Sequence, residues 1–549
     1  MRSDPLRRRR GPLVLPFTLS AGALALAAAW PALAQDAPVQ RVEITGSAIK
    51  RIDGETALPV QVITREEIRK AGITTAAEII ARVSASAANL TDGSSIGYGG
   101  FRDQMGFNGA NLRGIGVSST LVLLNGRRMA NFASPGDETG VDLNGIPAGA
   151  IDRVEVLLDG ASALYGSDAI GGVINFITRK DYQGLEISAL VGNTTEGGGG
   201  NKRSVSLGGG FGDYGRDGFN VMAVADLQKT TRLNALNRQF ISDLKIPERL
   251  PDLLSSATFP GNLRLSWDQV DILAANGYSS NGKTVIDSRT VNPAAKDGCN
   301  PPANLYLPDG IGGVDGCTFD YMRNIELYPE STKANVLARG ILALGDGHQA
   351  FAEVAFGRAR TLYSGTPNRI DAEIDVSLIP ALKGYGLDTL PAGDELRSIT
   401  VRTRLVEAGL RTSELVASNQ RYVVGTLGTV AGWDYEWGLN HSTSTVSDRD
   451  HNGYLNEQMI LSGFADGTLN PFGASSAAGL AYYESAQIRG EVRRSTGTMD
   501  SLDLRISRPL GKLDGGDLAL ALGGEFRRDR KSTRLNSSHS QQSRMPSSA

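Results

Sequence analysis

Apolar and polar residues alternate along most of the chain after Gly184. In the run 349–361, Ala352, Val354 and Phe356 fall on one face of an extended chain, whereas Gln349 and Glu353 fall on the other. This period of two predicts a β-strand with one apolar and one polar side. Eight further runs share the pattern, at 185–193, 202–210, 219–228, 333–344, 420–429, 434–446, 501–510 and 517–527. Such strands suit the wall of a membrane barrel or a soluble β-sandwich.

The connections between these runs favour the membrane alternative. Tight turns, as at 345–348 and 214–218, alternate with long segments such as 229–332. Short turns at one end and long loops at the other are typical of outer-membrane barrels. No run of 18 apolar residues follows Ala34, so we expect no transmembrane helix, and a membrane-bound form would have to cross the bilayer with strands.

The first 34 residues have the three parts of a secretory signal peptide. Arginines at positions 2 and 7–10 precede an apolar stretch, and small residues at Ala32 and Ala34 predict cleavage after Ala34. An uncleaved membrane anchor is the alternative, but Pro12 and Pro16 shorten the apolar helix below the length of a span. We therefore expect export.

The region that follows predicts a small mixed α/β domain of about 120 residues. A strand at Val60–Ile63 leads to Thr64, which is placed to cap a short helix that Gly72 ends. Thr74 or Thr75 then begins a second helix, whose apolar face holds Ile79, Ile80 and Val83. Later strands are predicted at 120–124, 153–158 and 173–177, with an Asn125-Gly126 hairpin turn and a helical segment through Ala163 and Tyr165.

Four glycines interrupt the segment 157–178 before its apolar run Val173–Ile177. They stand at positions 160, 166, 171 and 172. Because glycine adopts left-handed backbone conformations and lets two backbones approach closely, this segment is expected to turn within a few residues and pack against its own domain.

Composition excludes several classes of function. Lysine plus arginine (56) nearly balances aspartate plus glutamate (59), for a net charge of -3, so the chain lacks the basic surface expected of a nucleic-acid partner. No metal-binding motif and no clustered acid, base or nucleophile is evident, so we expect no metal, no cofactor and no enzymatic activity. The two cysteines, Cys299 and Cys317, are expected to form a disulfide in an oxidising compartment, with free thiols as the alternative.

Two nucleotide-binding patterns occur in an unsuitable context. "GYSSNGKT" at 277–284 fits a phosphate-binding loop, and "GFGDYG" at 210–215 fits a dinucleotide fingerprint. The first is not flanked by an apolar strand and a helix, and the second is followed by an alternating, strand-like run. We interpret the first as a solvated loop and the second as a turn between strands.

Three motifs together resemble the plug domain of TonB-dependent outer-membrane receptors. They are "PVQVITREEIRKAGITTAAEII", "LRGIGVSSTLVLLNGRRM" and "IDRVEVLLDGASALYGSDAIGGVINFIT", in the family's order between Pro59 and Thr178. Leu158-Asp159-Gly160-Ala161 departs from the basic residue and Gly-Pro common in the family at that turn. The resemblance implies a mixed α/β plug (57–182) inside a transmembrane antiparallel β-barrel (183–530), in the outer membrane of a Gram-negative bacterium and in contact with its lipid.

The segment 35–56 resembles the TonB box, by which such receptors engage the periplasmic domain of TonB. Its "RVEITGSAIKR" is β-prone and suited to pair edge to edge with a partner sheet, and a leader without a role is the alternative. TonB-binding residues are expected at Val42, Glu43, Ile44, Thr45, Gly46 and Ser47. Tyr98, Phe101 and Arg102, in a glycine-rich and aromatic plug segment, are candidates for contact with a small extracellular ligand; an ordinary surface loop is the alternative.

Plugged outer-membrane transporters have 22 strands, whereas about ten are evident here, so the barrel is expected to be about half present. The serine-rich segment 531–549 resembles appended vector sequence, with a natural disordered tail as the alternative. The resemblance implies energy-coupled uptake of a scarce ligand such as an iron-siderophore, a vitamin or an oligosaccharide. The alternative is an exported binding or nucleotide-binding protein without a transport role. A signalling receptor is disfavoured because it would need a longer domain before the plug.

Overall fold

The computed structural model describes residues 41–42, 45, 51–52, 60–92, 105–133, 140–159, 161–239, 249, 254–310, 314–513 and 516–535. These residues form three parts. A small domain (60–178), called the plug below, packs against a nine-stranded antiparallel sheet, called the wall. Long connections at one end of the wall form a third part, called the outer body.

The plug is a five-stranded mixed sheet with short helices. Two-residue strands β1 (Arg41–Val42) and β2 (Arg51–Ile52) precede it as an antiparallel pair. The plug strands are β3 (Val60–Thr64), β4 (Thr120–Leu124), β5 (Arg127–Arg128), β6 (Ile151–Leu157) and β7 (Gly172–Thr178), and the helices are α1 (Arg65–Lys70), α2 (Ala76–Ile80) and α3 (Ala161–Tyr165). The strand order is β3-β6-β7-β4-β5, with only β4 and β7 parallel among these pairs.

Local sequence signals set the ends of the plug helices. Thr64 caps α1 in a reciprocal capping box with Glu67, and Thr75 caps α2 through the N–H of Glu78. These contacts satisfy N–H groups that have no partner within the helix. The predicted capping of α1 is therefore confirmed, and Thr75 is the cap of the second helix. Ile79, Ile80 and Val83 are fully buried, as their spacing predicted.

Two of the four glycines in the segment 157–178 are required for different reasons. Gly166 has φ +84°, a conformation that side chains disfavour, but nothing lies near its missing Cβ. A Cβ on Gly172 would lie 2.6 Å from the carbonyl oxygen of Leu157, and its φ is +134°. Gly172 thus permits both an unusual conformation and a close approach of backbones at the start of β7. Gly160 is outside the described residues.

The remaining strands, in chain order, alternate between the wall and the outer body. The first wall strands are β8 (Gly184–Gly192), β9 (Lys202–Phe211) and β10 (Phe219–Thr230), with the helical turn α4 (Tyr214–Asp217) between the last two. The outer body then contributes β11 (Leu233–Asn234), β12 (Asn262–Arg264), α5 (Trp267–Ala275), β13 (Thr290–Val291), β14 (Asn304–Gly310), β15 (Val314–Phe319) and β16 (Glu326–Tyr328).

The chain returns to the wall and leaves it twice more. Strands β17 (Glu330–Gly345) and β18 (His348–Pro367) are followed by β19 (Arg369–Asp375) and β20 (Ser398–Arg404) of the outer body. Wall strands β21 (Leu410–Val430) and β22 (Trp433–Asn452) lead to the outer helices α6 (Glu457–Ala465) and α7 (Ala477–Ser485), and β23 (Gly490–Leu513) and β24 (Gly516–Leu535) complete the described wall. Each wall strand pairs antiparallel with the next wall strand along the chain.

The two faces of the wall differ as the alternation predicted. In β18, Glu353 is buried beneath the plug, whereas Val354 and Phe356 are exposed on the opposite face. Cross-strand registry continues this outward face as one row of apolar positions, called the apolar row: Phe211, Val221, Gly340, Ala352, Val424, Leu439, Leu502 and Phe526. The wall therefore presents a polar face to the plug and an apolar stripe away from it.

Turns between wall strands are short at one end, called the turn end, and long at the other, called the loop end. Two-residue turns join β17 to β18 and β21 to β22. At the loop end, three long connections share one core, to which Leu273, Val401 and Phe464 each contribute from a different connection. Strands β13-β12-β20-β19 form a sheet that joins two of them. No helix in the described part of the chain is long and apolar enough to span a membrane.

The nine predicted wall strands are all present, but several extend much further than their sequence runs. For example, β23 begins at Gly490, whereas the alternating run begins at Ser501. The last strand, β24, continues to Leu535 and pairs with β23 there, five residues past the predicted end of the barrel at 530. Residues 536–549 lie outside the described part, as does the expected signal peptide.

The two nucleotide-binding patterns adopt the conformations expected of a loop and a turn. Residues 277–284 form an irregular loop after α5, and residues 210–215 run from the end of β9 into the helical turn α4. Cys299 and Cys317 form a disulfide in the outer body, where both side chains are fully buried.

Candidate functional site

The Asn125-Gly126 turn carries the densest set of contacts between plug and wall. Positive φ angles at Asn125 (52°) and Gly126 (73°) let the chain reverse in two residues. The turn thereby presents backbone carbonyl groups to the wall. Arg421 Nη2 donates to the carbonyl oxygen of Leu124 at 3.1 Å, and Arg505 Nη2 donates to that of Gly126 at 2.8 Å.

Arg127, directly after the turn, forms ion pairs with two wall strands. Its Nε and Nη2 lie 2.9 and 3.1 Å from the carboxylate oxygens of Asp503, and Nη2 lies 2.8 Å from Glu436 Oε1. Burial alone would lower the pKa of Arg127, but the two carboxylates raise it above its ordinary value. Its guanidinium also lies 4.8 Å from the centre of the Phe351 ring. Arg127 is therefore a fixed cation at the junction of β22 and β23.

Glu353 is the matching anion on β18. Arg421 Nη1 donates to one of its oxygens at 2.8 Å, and Asn125 Nδ2 donates to the other at 2.8 Å. Arg339 Nε lies 3.6 Å from that second oxygen. Glu353 and Arg421 are only 3% and 2% exposed, so removing either would leave buried charge without its partner. Such a loss is strongly destabilising, whereas the intact pair contributes little net stability.

A second polar cluster joins plug and wall nearer the loop end. Lys333 Nζ lies 2.6 Å from Asp92 Oδ2, and Asp92 and Asn108 exchange two hydrogen bonds at 2.8 and 3.1 Å. The backbone N–H of Gly106 donates to the hydroxyl of Tyr363 at 2.5 Å. Asp92 and Gly106 stand on either side of residues 93–104 in the sequence, so both flanks of that segment are attached to the wall.

Asp142 is buried within this loop-end cluster. Its Oδ1 accepts from the N–H groups of Asn144 and Asn108, at 3.1 and 3.3 Å. Its Oδ2 is buried without a hydrogen-bond partner in the described structure. Burial raises the pKa of Asp142 to about 7, while the two N–H donors and Lys333 act in the opposite direction. Asp142 therefore changes protonation near neutral pH.

Thr45 lies on the plug at the side of the Asn125-Gly126 turn. Its N–H and hydroxyl both donate to Glu155 Oε2, at 3.0 and 2.6 Å, and Asn175 Nδ2 donates to its Oγ1 at 2.9 Å. Glu155 and Asn175 face each other across the β6–β7 pair, and all three side chains are buried. Thr45, which stands 110 residues before Glu155 in the chain, is thus held by two opposed polar side chains.

Comparison with known proteins identifies the architecture. Residues 53–173 match the family described as the TonB-dependent Receptor Plug Domain. The small domain of this chain is therefore similar to the plug domain of TonB-dependent receptors. Receptors with this domain are outer-membrane proteins of Gram-negative bacteria, the location that the resemblance in the sequence implied. The chain is 34% identical over 158 residues to the vitamin B12 transporter BtuB of Vibrio cholerae serotype O1, an alignment that covers 28% of this chain and 24% of the relative.

Two solved receptor structures match the chain at low sequence identity. The siderophore receptor PirA from Acinetobacter baumannii has 14% identity and a TM-score of 0.46, covering 86% of this chain and 48% of that one. A ferric enterobactin receptor (PfeA) mutant from Pseudomonas aeruginosa has 16% identity and a TM-score of 0.45, covering 86% and 49%. The receptor chain thus spans about a quarter of its curated relative in sequence and about half of these structures.

The structure describes only part of the residues predicted to bind TonB or ligand. In the TonB-box segment, Val42 pairs with Arg51 between β1 and β2, and Thr45 is docked on the plug. Glu43, Ile44, Gly46 and Ser47 lie outside the described residues, and so do the candidate ligand contacts Tyr98, Phe101 and Arg102. These assignments stay predictions.

Sequence reasoning missed the residues that join plug and wall. Two signals for them were present: two arginines follow the Asn-Gly turn, and single acidic residues interrupt the strands at Glu353, Glu436 and Asp503. Each lies on the plug-facing side of an alternating strand. Their pairing with the plug depends on how two separately folded parts are aligned, which no local pattern contains.

Proposed function

We propose that this receptor takes up a scarce extracellular ligand across the outer membrane and that TonB supplies the energy by pulling on the segment around Thr45. The plug domain packed on the inner face of the wall carries this proposal. A plug that fills a barrel must move or rearrange before a ligand passes, so uptake requires both an attachment that can be released and a point at which force acts.

The chemistry of the interface supports a releasable attachment. The plug meets the wall largely through arginine–carboxylate pairs and hydrogen bonds, at Arg127, Glu353 and Lys333 among others. When such groups separate, water can replace their partners, whereas separated apolar surfaces have no substitute. Part of the plug core does contact apolar wall residues, including Val224 and Leu337. We expect a local rearrangement to begin at the polar contacts.

The segment around Thr45 is suited to receive force. It precedes the plug in the chain, and we assign the turn end of the wall to the periplasm because short turns such as 346–347 are typical of that side. Thr45 docks beside the Asn125-Gly126 turn, which lies in the turn-end half of the wall. We propose that TonB binds Val42–Ser47 by strand addition, since backbone N–H groups supply most of such an interaction.

The ligand belongs to the small, scarce nutrients carried by this family, and the vitamin B12 transporter among the relatives makes cyanocobalamin the first to test. Iron-siderophores and oligosaccharides are the other classes. Tyr98, Phe101 and Arg102 are proposed contacts, because their segment is aromatic and glycine-rich and both its flanks are attached to the wall. No specific observation favours nucleotide binding, since the phosphate-loop pattern lies in an irregular loop.

Substitution of Ile44 by proline separates transport from binding. Proline removes a backbone donor and fixes φ, so it should prevent strand addition to TonB. In full-length receptor, we expect Ile44→Pro to abolish capture of the receptor by purified TonB periplasmic domain, whereas Ile44→Val should retain it. Both variants should bind cyanocobalamin or a ferric siderophore at the cell surface equally, but only Ile44→Val should accumulate it.

Equal accumulation by the two variants would show that the segment is only a leader. Immunoblots of isolated outer membranes control for export, because lower receptor abundance would explain a loss of both binding and uptake.

A further inference from the structure

We propose that Asn175 couples the docking of Thr45 to the attachment of the Asn125-Gly126 turn on the wall, as a positioning residue. This inference rests on the proposed function, because it gives the segment around Thr45 a direct route to the barrel. The route consists of one side-chain amide with a partner at each end.

The amide of Asn175 uses both of its polar atoms. Nδ2 donates to Thr45 Oγ1 at 2.9 Å, and Oδ1 accepts from the backbone N–H of Gly126 at 2.9 Å. Asn175 is only 5% exposed, so water does not readily replace a lost partner. Because the amide is planar and rigid, a rotation that follows one partner displaces the other.

Gly126 continues the connection to the wall. Its carbonyl oxygen accepts from Arg505 Nη2 at 2.8 Å, and a Cβ at this position would lie 3.4 Å from Arg505 Nη1. The neighbouring Asn125 donates to Glu353, which also holds Arg421. Two residues, Asn175 and Gly126, therefore join Thr45 to wall strand β23 through hydrogen bonds alone.

Undocking of Thr45 affects Asn175 more than it affects Glu155. Glu155 accepts two hydrogen bonds from Thr45 and one from Arg153 Nε at 2.7 Å, and its side chain is buried. When Thr45 leaves, Glu155 keeps its bond from Arg153, whereas Nδ2 of Asn175 loses the one acceptor that it has among the described residues. Undocking of Thr45 thus frees the amide that positions Gly126. By linkage, loosening of the turn must weaken the docking of Thr45 to the same degree.

Hydrogen exchange of receptor purified in detergent tests the coupling without TonB or ligand. Thr45→Val removes the hydroxyl but keeps the backbone N–H, and we expect about two- to fivefold faster exchange in the 120–128 peptide, roughly the factor for part or all of one hydrogen bond. Thr45→Ser should restore the wild-type rate. Asn440→Ala is the matched control for the 41–52 peptide. It removes a different wall contact with the plug, the hydrogen bond from Asn440 to the carbonyl oxygen of Arg128 at 3.0 Å.

Arg505→Met tests whether loosening of the Asn125-Gly126 turn weakens the docking of Thr45. It removes the donor to Gly126 and should speed exchange in the 41–52 peptide by a similar factor. Faster exchange confined to 41–52 in Thr45→Val, with 120–128 unchanged, would overturn the proposal. So would an equal effect of Asn440→Ala on the 41–52 peptide. Neither exchange experiment involves TonB, so a receptor that fails to transport could still show the coupling. The proposed transport and the proposed coupling can therefore be contradicted independently.

Discussion

Single residues at the interface of plug and wall combine burial with charge. Arg421 and Glu353 are almost completely buried and paired, and Arg127 joins two carboxylates. An arrangement of this kind adds little net stability, because desolvation offsets most of the attraction. It does define one alignment of the plug, since a shifted plug would leave several buried charges without partners. These residues therefore determine the position of the plug on the wall more than the stability of the fold.

Asp142 gives the receptor a pH-dependent stability. Its pKa rises from 3.8 to about 7 on folding because the carboxyl group is buried. The folded state therefore binds more protons than the unfolded state between these values, and the free energy of unfolding falls as pH rises through this window. The stabilisation of the folded state by Asp142 is complete below about pH 4 and is lost above about pH 7.

Asp142→Asn should remove this dependence, because the amide oxygen can still accept from Asn108 and Asn144 but the side chain no longer titrates. We expect the Tm of the variant, relative to wild type, to be higher at pH 8 than at pH 5. The control is Asp346→Asn, in an exposed two-residue turn. Its effect on the Tm should be the same at pH 5 and at pH 8. A Tm difference for Asp142→Asn that does not change with pH would contradict the assignment.

At the scale of elements, local signals were sufficient for the plug. The caps at Thr64 and Thr75 and the Asn-Gly turn depend on neighbours within a few residues, and all are found where the sequence predicts them. The loop-end halves of the long strands were missed because they lack a continuous apolar face: Gly490–Asp500 of β23 has only two apolar side chains larger than glycine, Val492 and Met499. Those parts are held by neighbouring strands, so their structure depends on pairing more than on composition.

The outer body could not be predicted for a related reason. Its core draws on three connections that are separated by whole wall strands, and no one of them carries a complete apolar face. The helix α6 buries Ile460 and Phe464 against strands from another connection. Only the disulfide could be expected from sequence, because the predicted export favours oxidised cysteines and Cys299 and Cys317 allow a single pairing.

The disulfide requires a test that distinguishes bonding from burial, because Cys299 and Cys317 would be inaccessible in the folded protein in either state. We expect a maleimide reagent to label neither cysteine in receptor unfolded without reductant, and both after reduction. Cys299→Ser, unfolded without reductant, should be labelled once, at Cys317. Labelling of unreduced, unfolded wild-type receptor would show free thiols. Loss of the bond should cost about 3 kcal/mol by the chain-entropy estimate for a loop of this size.

At the scale of the whole molecule, the apolar row explains why the wall belongs in a bilayer. Val424, Leu439 and Leu502 are 49%, 47% and 42% exposed and lie side by side on neighbouring strands. In water this stripe would be an unusually large apolar surface. Two residues further along β22 toward the loop end, His441 pairs with Asp500 on the same outward face, so the apolar zone of β22 and β23 ends there. Lipid on one face and the plug on the other together account for the alternation along each strand.

A charge placed within this zone should therefore impair membrane assembly. Leu502→Arg lies in the apolar row, where an arginine facing lipid costs about 2–4 kcal/mol near the bilayer midplane and less toward its edges. In full-length receptor we expect less protein in the outer-membrane fraction, with more degraded or soluble material. Thr443→Arg, on the same face of β22 but beyond the pair of His441 and Asp500, should assemble like wild type, because its cation reaches water. Wild-type receptor should require detergent for extraction. Release into the soluble periplasm on lysis, or equal assembly of the two arginine variants, would mean that this face of the wall does not contact lipid.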